Sequence, residues 1–151
     1  MWNTSRKFLR LPWELKRFVL RSVLILPIAY AGLRLFGLKP LLTGIQRVAP
    51  VRGRVSDRCP EEIGTYVHLF SAVARRCPLP LQCLRRSVAL CWLLRLQGID
   101  AKVHIGVCRN HNSLHGHAWV QCGDLVINDT EDVGEHYARV FPTYSGIDTV
   151  W

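Results

Sequence analysis

No two cysteines in this 151-residue chain stand at CxxC spacing. The six thiols, at positions 59, 77, 83, 91, 108 and 122, are scattered, and Cys77, Cys83 and Cys91 fall in or beside apparent helices. That distribution argues against a disulfide-stapled, loop-rich scaffold and suits a reduced cytosolic protein with small buried thiols. An apolar run of spanning length is also missing. The uninterrupted stretch from Val23 to Leu33 holds eleven residues, contains Pro27 and is flanked by Arg21 and Arg34, against the roughly 20 that a membrane helix needs. Arg6, Lys7 and Arg10 precede it and Ala29-Tyr30-Ala31 resembles a signal-peptidase site, but the leading region is long and contains Glu14, which argues against a cleaved signal. Acidic residues are few: 11 Asp and Glu stand against 20 Lys and Arg, a net charge of +9. A basic surface favours an acidic partner, although Arg far outnumbers Lys, which a GC-rich coding bias also produces. There is no internal repeat and no low-complexity segment.

Apolar material is plentiful. Hydrophobic residues make up 49% and the mean hydropathy is +0.11. The length fits one domain with a helical extension, and the apolar surplus sits mainly in the first forty residues. Residues 12–38 read as helical, as one helix or as a pair bent near Pro27, with Gly37 and Pro40 ending it. Such a helix docks on its own domain, on a partner or on a membrane surface. Residues 41–58 read as a short helix followed by a basic linker. Pro60-Glu61-Glu62 starts a further helix, with proline in the first turn and acid at the positive end of the dipole. Ile63, Val67, Phe70, Ala74 and Cys77 form its buried stripe, and Pro78 and Pro80 terminate it. The next helix runs from Cys83 to about Gln97, is apolar almost all round, and so is central; Gly98 is its stop.

After Gly98 the period changes from 3.6 to 2. Residues 101–107 form a strand, residues 109–115 a polar loop, Gly116 to Cys122 a second strand, and Leu125 to Asp129 a third. Residues 131–140 include a short helix or turn, and Tyr137, Phe141, Tyr144 and Trp151 cover the sheet edge. The order of elements predicts an α+β fold, with an antiparallel sheet packed on the Cys-bearing helix. The division expected is residues 1–58, an N-terminal apolar and basic helical region with its linker, and residues 59–151, the domain carrying the chemistry.

That chemistry is a thiol at a helix start, an imidazole on a strand and a carboxylate on the next strand. At the first turn, free backbone N–H groups and the dipole favour a thiolate at Cys83 and offer donors to an oxyanion. His117 pairs with the thiolate and returns a proton to a leaving amine, and Asp129 orients the imidazole. Register tests the arrangement, since a one-residue slip reverses the faces of a strand. A two-residue turn at Gly123-Asp124 turns His117 away from Asp129; a three-residue connection, Cys122-Gly123-Asp124, pairs Gln121 with Leu125 and His117 with Asp129. The longer connection is the one predicted. Cys77, Cys91 and Cys122 read as small core residues. Trp119, on the same face as His117, either walls a substrate groove or anchors the core. Arg85 and Arg86 either contact an acidic ligand or form the solvated face of their helix.

The run CLRRSVALCWLLRLQGIDAKVHIGV (83–107), followed by HAWVQ (117–121) and VIND (126–129), is similar to the transglutaminase-like cysteine peptidases of lasso-peptide biosynthesis, the leader peptidases of the split lasso B protein. The resemblance covers roughly residues 60–150, and the apolar, Arg-containing N-terminal region is also typical of that family. It implies a transglutaminase-like, papain-like core, with Cys83 as nucleophile, His117 as acid/base and Asp129 as third member. It implies removal of the leader from a ribosomally made precursor, a macrolactam synthetase that then closes the ring, and a leader-recognition domain that here is a separate protein, because too few residues precede Glu61 to hold it. No cofactor, metal or nucleic acid is implied. The protein is expected in the cytoplasm, with a peripheral membrane contact through the N-terminal helix left open. Three rivals remain at this stage: zinc held by His115 and His117 with His111, His104 or Cys83, which lacks finger-like ligand spacing; acyl transfer to an amine by the same site; and a non-enzymatic assembly module.

Overall fold

A computed structural model describes residues 11–51, 59–110 and 113–139. The basic linker expected before Cys59, His111 and the edge cover expected from Phe141, Tyr144 and Trp151 lie outside the described residues. The chain runs α1 (Trp13–Leu35), α2 (Leu38–Val48), α3 (Pro60–Ala74), α4 (Cys83–Leu96), β1 (Ala101–Asn110), β2 (Ser113–Cys122), β3 (Leu125–Val126), α5 (Val133–His136) and β4 (Ala138–Arg139). The strands form one antiparallel sheet in the order β3-β2-β1-β4. The result is the α+β arrangement expected.

Around α4 the helices and one sheet face share a single core. Ser87 through Cys91, with Leu93 and Leu94, are all buried, as the apolar sequence of this helix dictates. Gly98 ends it with φ of 80°; its N–H donates to Arg95 O and the Ile99 N–H to Leu94 O, so two terminal carbonyls are satisfied and the chain turns directly into β1. Ala101, Val103, Val120 and Cys122 pack onto the same core. From α1, Phe18, Ile25, Leu26 and Ala29 join it, and from α2, Leu42 and Ile45. The buried hydroxyl of Ser22 is satisfied by donating to Phe18 O at 2.8 Å.

Four local details settle or differ from what was expected. First, of the two readings, one helix or a bent pair, α1 is the single helix, running through Pro27. Pro27 is exposed, so solvent serves the carbonyl that its missing N–H leaves behind. Second, α2 starts at Leu38, placing Pro40 in its first turn, where a missing N–H costs nothing, instead of at the end of α1. Third, the buried stripe of α3 is Ile63, Tyr66, Phe70 and Ala74. Tyr66 packs on Phe18 with ring centroids 4.7 Å apart, and Val67 turns toward a cleft. Fourth, the expected polar loop at 109–115 is mostly strand: β1 continues to Asn110 and β2 begins at Ser113. Residues 113–116 are exposed, so hydrophobic alternation disappears there while the backbone ladder continues.

The expected β2–β3 register is also corrected. Cys122 pairs with Leu125 and Gln121 with Val126 across the two-residue turn Gly123-Asp124, with Gly123 left-handed at φ of 60°. Continued regularly, that register would carry Asp129 to the face opposite His117. The ladder does not continue. After Ile127, whose N–H still donates to Val120 O at 2.9 Å, the chain bends at Asn128 and Asp129.

Candidate active site

Residues 79–82 deliver Cys83 to the start of α4. Gln82 is extended, no side chain caps the helix, and the first helical bond is Arg86 N–H to Gln82 O at 3.1 Å. The amides of Cys83, Leu84 and Arg85 therefore precede the helical ladder, as first-turn N–H groups do. Arg85 holds this segment in place. Its Nη1 donates to Pro80 O at 2.7 Å, and its guanidinium lies 4.7 Å from the centre of the Tyr30 ring on α1. Arg85 is thus committed to the fold, whereas Arg86 lines the cleft.

His117 sits on β2 directly across from Gly106 of β1. A Cβ at Gly106 would lie 2.7 Å from Tyr137 Cβ and 3.1 Å from the Trp119 ring. The missing side chain is what lets these rings close around the imidazole. Trp119 stacks on His117 at 6.3 Å and 23°, and Tyr137 lies over His117 at 5.1 Å and 34°. On its other side Trp119 stacks on His104 at 5.9 Å. Trp119 is fully buried, which corrects the expectation that it walls a substrate groove: it backs the imidazole and has no open face for a ligand.

Asp129 reaches His117 in spite of the register. Its Oδ2 accepts from His117 Nε2, while Oδ1 accepts the N–H of Thr130 at 2.9 Å. Both carboxylate oxygens are committed, and the imidazole keeps Nδ1 for another partner. The His117 and Asp129 side chains are about a quarter exposed, 26% and 25%, open enough for a substrate and sheltered enough for their attraction to escape full solvent screening. Cys83, His117 and Asp129 line one open cleft of about 460 Å³, together with Arg86, Ile127 and Asn128. That volume is within the range of peptide- and ligand-sized sites.

Three residues that the sequence reading did not place at the site belong to its surroundings. Ser87, one helical turn beyond Cys83, is fully buried, and its Oγ donates to Ala118 O at 2.9 Å. Asn128 Nδ2 donates to Ser87 Oγ at 3.1 Å, and Asn128 Oδ1 accepts the Val120 N–H at 2.7 Å. Tyr137, expected only as an edge cover, holds its phenolic proton above the usual range, first because of desolvation, then through Cys108, Asp129 and Cys83. The signal for Ser87 was the single hydroxyl within the sequence of α4, one turn from the candidate nucleophile.

Two further thiols are buried in the core. Burial pushes Cys91 up to about 12, and Cys122 likewise to about 12. Cys91 Sγ donates to Ala101 O at 3.2 Å. They are neutral core groups at ordinary pH. Among the described residues, no three His, Cys, Asp or Glu side chains gather as metal ligands.

The cleft therefore brings together a thiol at a helix start, an imidazole with one nitrogen held by a carboxylate, and unladdered backbone amides, which is the equipment for nucleophilic acyl chemistry. A family model described as the Transglutaminase-like superfamily matches residues 24–142, from within α1 to beyond β4. No curated protein and no solved structure matches the chain.

Proposed function

We propose that this chain, which belongs to the Transglutaminase-like superfamily, is a cysteine peptidase that cuts the leader from a ribosomally made lasso-peptide precursor. The observation that carries the hydrolase reading is the meeting of Cys83, His117 and Asp129 on one cleft, with His117 Nε2 held by Asp129. In this reading the Cys83 thiolate attacks the carbonyl carbon of the scissile bond. Backbone N–H groups of the first turn of α4 receive the oxyanion. His117, acting through Nδ1, gives its proton to the leaving amine, and the acyl chain stays on sulfur as a thioester. The same nitrogen then takes a proton from water, whose oxygen attacks the thioester; a carboxylate leaves and the thiol is restored.

The choice of lasso precursor rests on the similarity of residues 83–107, 117–121 and 126–129 to the split leader peptidases. In that setting a separate recognition protein presents the leader, and a macrolactam synthetase uses the released core. Leu20, Val23, Leu24 and Ile28, exposed on α1, are the face we assign to docking one of these proteins. Six unpaired thiols suit a reducing, cytoplasmic setting.

The test is precursor cleavage by wild type and Cys83→Ala, with and without the recognition protein, followed by mass spectrometry. Free leader and free core from wild type, with no product from Cys83→Ala, support the proposal. A cross-linked mass instead of two fragments would make the protein an acyltransferase, and processing retained by Cys83→Ala would move the nucleophile elsewhere.

A further inference from the structure

We propose that Ser87 and Asn128 are positioning residues, a buried polar brace that holds the three members of the catalytic set in mutual register; this rests on the hydrolase reading above. Three backbone segments meet at the brace, each adjacent to one member. Ser87 lies one turn beyond Cys83 on the same helix, Ala118 follows His117, and Asn128 precedes Asp129. The Ser87 hydroxyl donates to Ala118 O and accepts from Asn128 Nδ2, while Asn128 Oδ1 takes the Val120 N–H. Two side chains therefore tie helix, strand and bend together through three hydrogen bonds.

The last of these bonds explains how Asp129 finds His117. In a regular ladder the Val120 N–H would go to the carbonyl of Ile127, its partner in the observed register. Asn128 Oδ1 takes it instead. The side chain of Asn128 thereby ends the ladder at Ile127, whose N–H still donates to Val120 O, satisfies the Val120 amide left behind, and frees the backbone to bend. Without that substitution the register would carry Asp129 to the wrong face of the sheet.

Chemistry at both positions is specific. The Ser87 hydrogen is spent on Ala118 O, so its oxygen can only accept from residue 128. Residue 128 must therefore donate through one terminal atom and accept through the other, which an amide does and a carboxylate does not. Asp at 128 would keep the shape, lose the donor and set negative charge against the serine lone pair. Ala at 87 would keep the helix and lose both bonds.

Asn128→Asp and Ser87→Ala test the brace in the full-length protein. Two readouts are needed: the rate of iodoacetamide alkylation at Cys83 at neutral pH, located by peptide mass spectrometry, and kcat and KM for precursor cleavage. The alkylation arm needs no precursor, and His117→Ala calibrates it by removing the imidazole. We expect both variants to melt as folded proteins, to alkylate Cys83 several-fold more slowly than wild type, and to lose roughly 10- to 100-fold in kcat with little change in KM, the scale of an ångström-level misplacement. The double variant Ser87→Ala/Asn128→Asp should be no worse than the poorer single variant, because both act through one brace. Wild-type rates per folded molecule in Ser87→Ala, at whatever melting temperature, would overturn the brace; if Asn128→Asp does not fold, Ser87→Ala decides alone. Cys83 alkylation in wild type no faster than in His117→Ala would overturn the hydrolase reading on which the brace depends. Normal His117-dependent alkylation without precursor cleavage would refute only the substrate assignment.

Discussion

His117 takes its orientation from the residues packed around it. Gly106 opposite it leaves room, Trp119 and Tyr137 fill that room with rings, and Asp129 holds Nε2. Gly106→Ala puts a methyl 2.7 Å from Tyr137 Cβ, a group fixed to the backbone and unable to swing away. We predict a loss of about 1–3 kcal/mol in unfolding free energy, the usual cost of overpacking, together with reduced cleavage; urea denaturation and an activity assay check both. His117→Ala should lower kcat by about 10²–10⁴, the contribution of a positioned acid/base, with the melting temperature changing far less. A different residue-scale effect comes from Cys91. The folded thiol keeps its proton up to about 12, whereas the ordinary value is 9.0. Between those values the native state binds more protons than the unfolded chain, so stability falls as pH rises through that window. Each pH unit there weakens the folding equilibrium by about tenfold per such thiol. Urea midpoints measured across the window should fall less steeply in Cys91→Ala than in wild type, from a lower starting stability because of the cavity.

At the scale of elements, sequence signals worked where a single residue type has one physical use. Pro60 with Glu61 and Glu62 marked the start of α3, Gly98 marked the stop of α4, and the thiol at the beginning of α4 marked the cleft. Periodicity failed where both faces of an element meet solvent, as at residues 113–116, which is why residues 109–115 read as loop. The β2–β3 connection was misjudged for another reason. In a continuous ladder, only a longer turn faces His117 toward Asp129. The chain uses a short turn and a side-chain hydrogen bond from Asn128 instead, a tertiary device that spacing does not encode. Arg85 is another contact of this kind, joining the segment before α4 to Tyr30 of α1. Arg85→Ala should cost about 1 kcal/mol from the lost cation–π and carbonyl contacts, and cleavage should fall with it because the start of α4 loosens. Arg85→Lys, lacking the planar fork, should recover only part of either.

At the scale of the whole molecule, the apolar side chains of α1 have two destinations. One face of α1 supplies Phe18, Ile25, Leu26 and Ala29 to the core around α4, and the other leaves Leu20, Val23, Leu24 and Ile28 exposed. By length and composition α1 could cross a membrane, and its buried face belongs to the core. Removing residues 1–59 deletes several side chains each worth about 1.5–3 kcal/mol of burial, a sum comparable to the 5–15 kcal/mol that stabilises a typical domain. The truncated chain should be insoluble or lack near-ultraviolet circular dichroism; a soluble, fully active fragment would show that the N-terminal helices are not structural. In the proposed hydrolysis, sulfur attacks a peptide carbonyl and water finishes the reaction. Precursor cleavage in water enriched in heavy oxygen tests this most directly: the released leader should carry one heavy oxygen in its new carboxylate, and Cys83→Ala should release none. Unlabelled leader joined to an amine, or labelled leader released by Cys83→Ala, would contradict it.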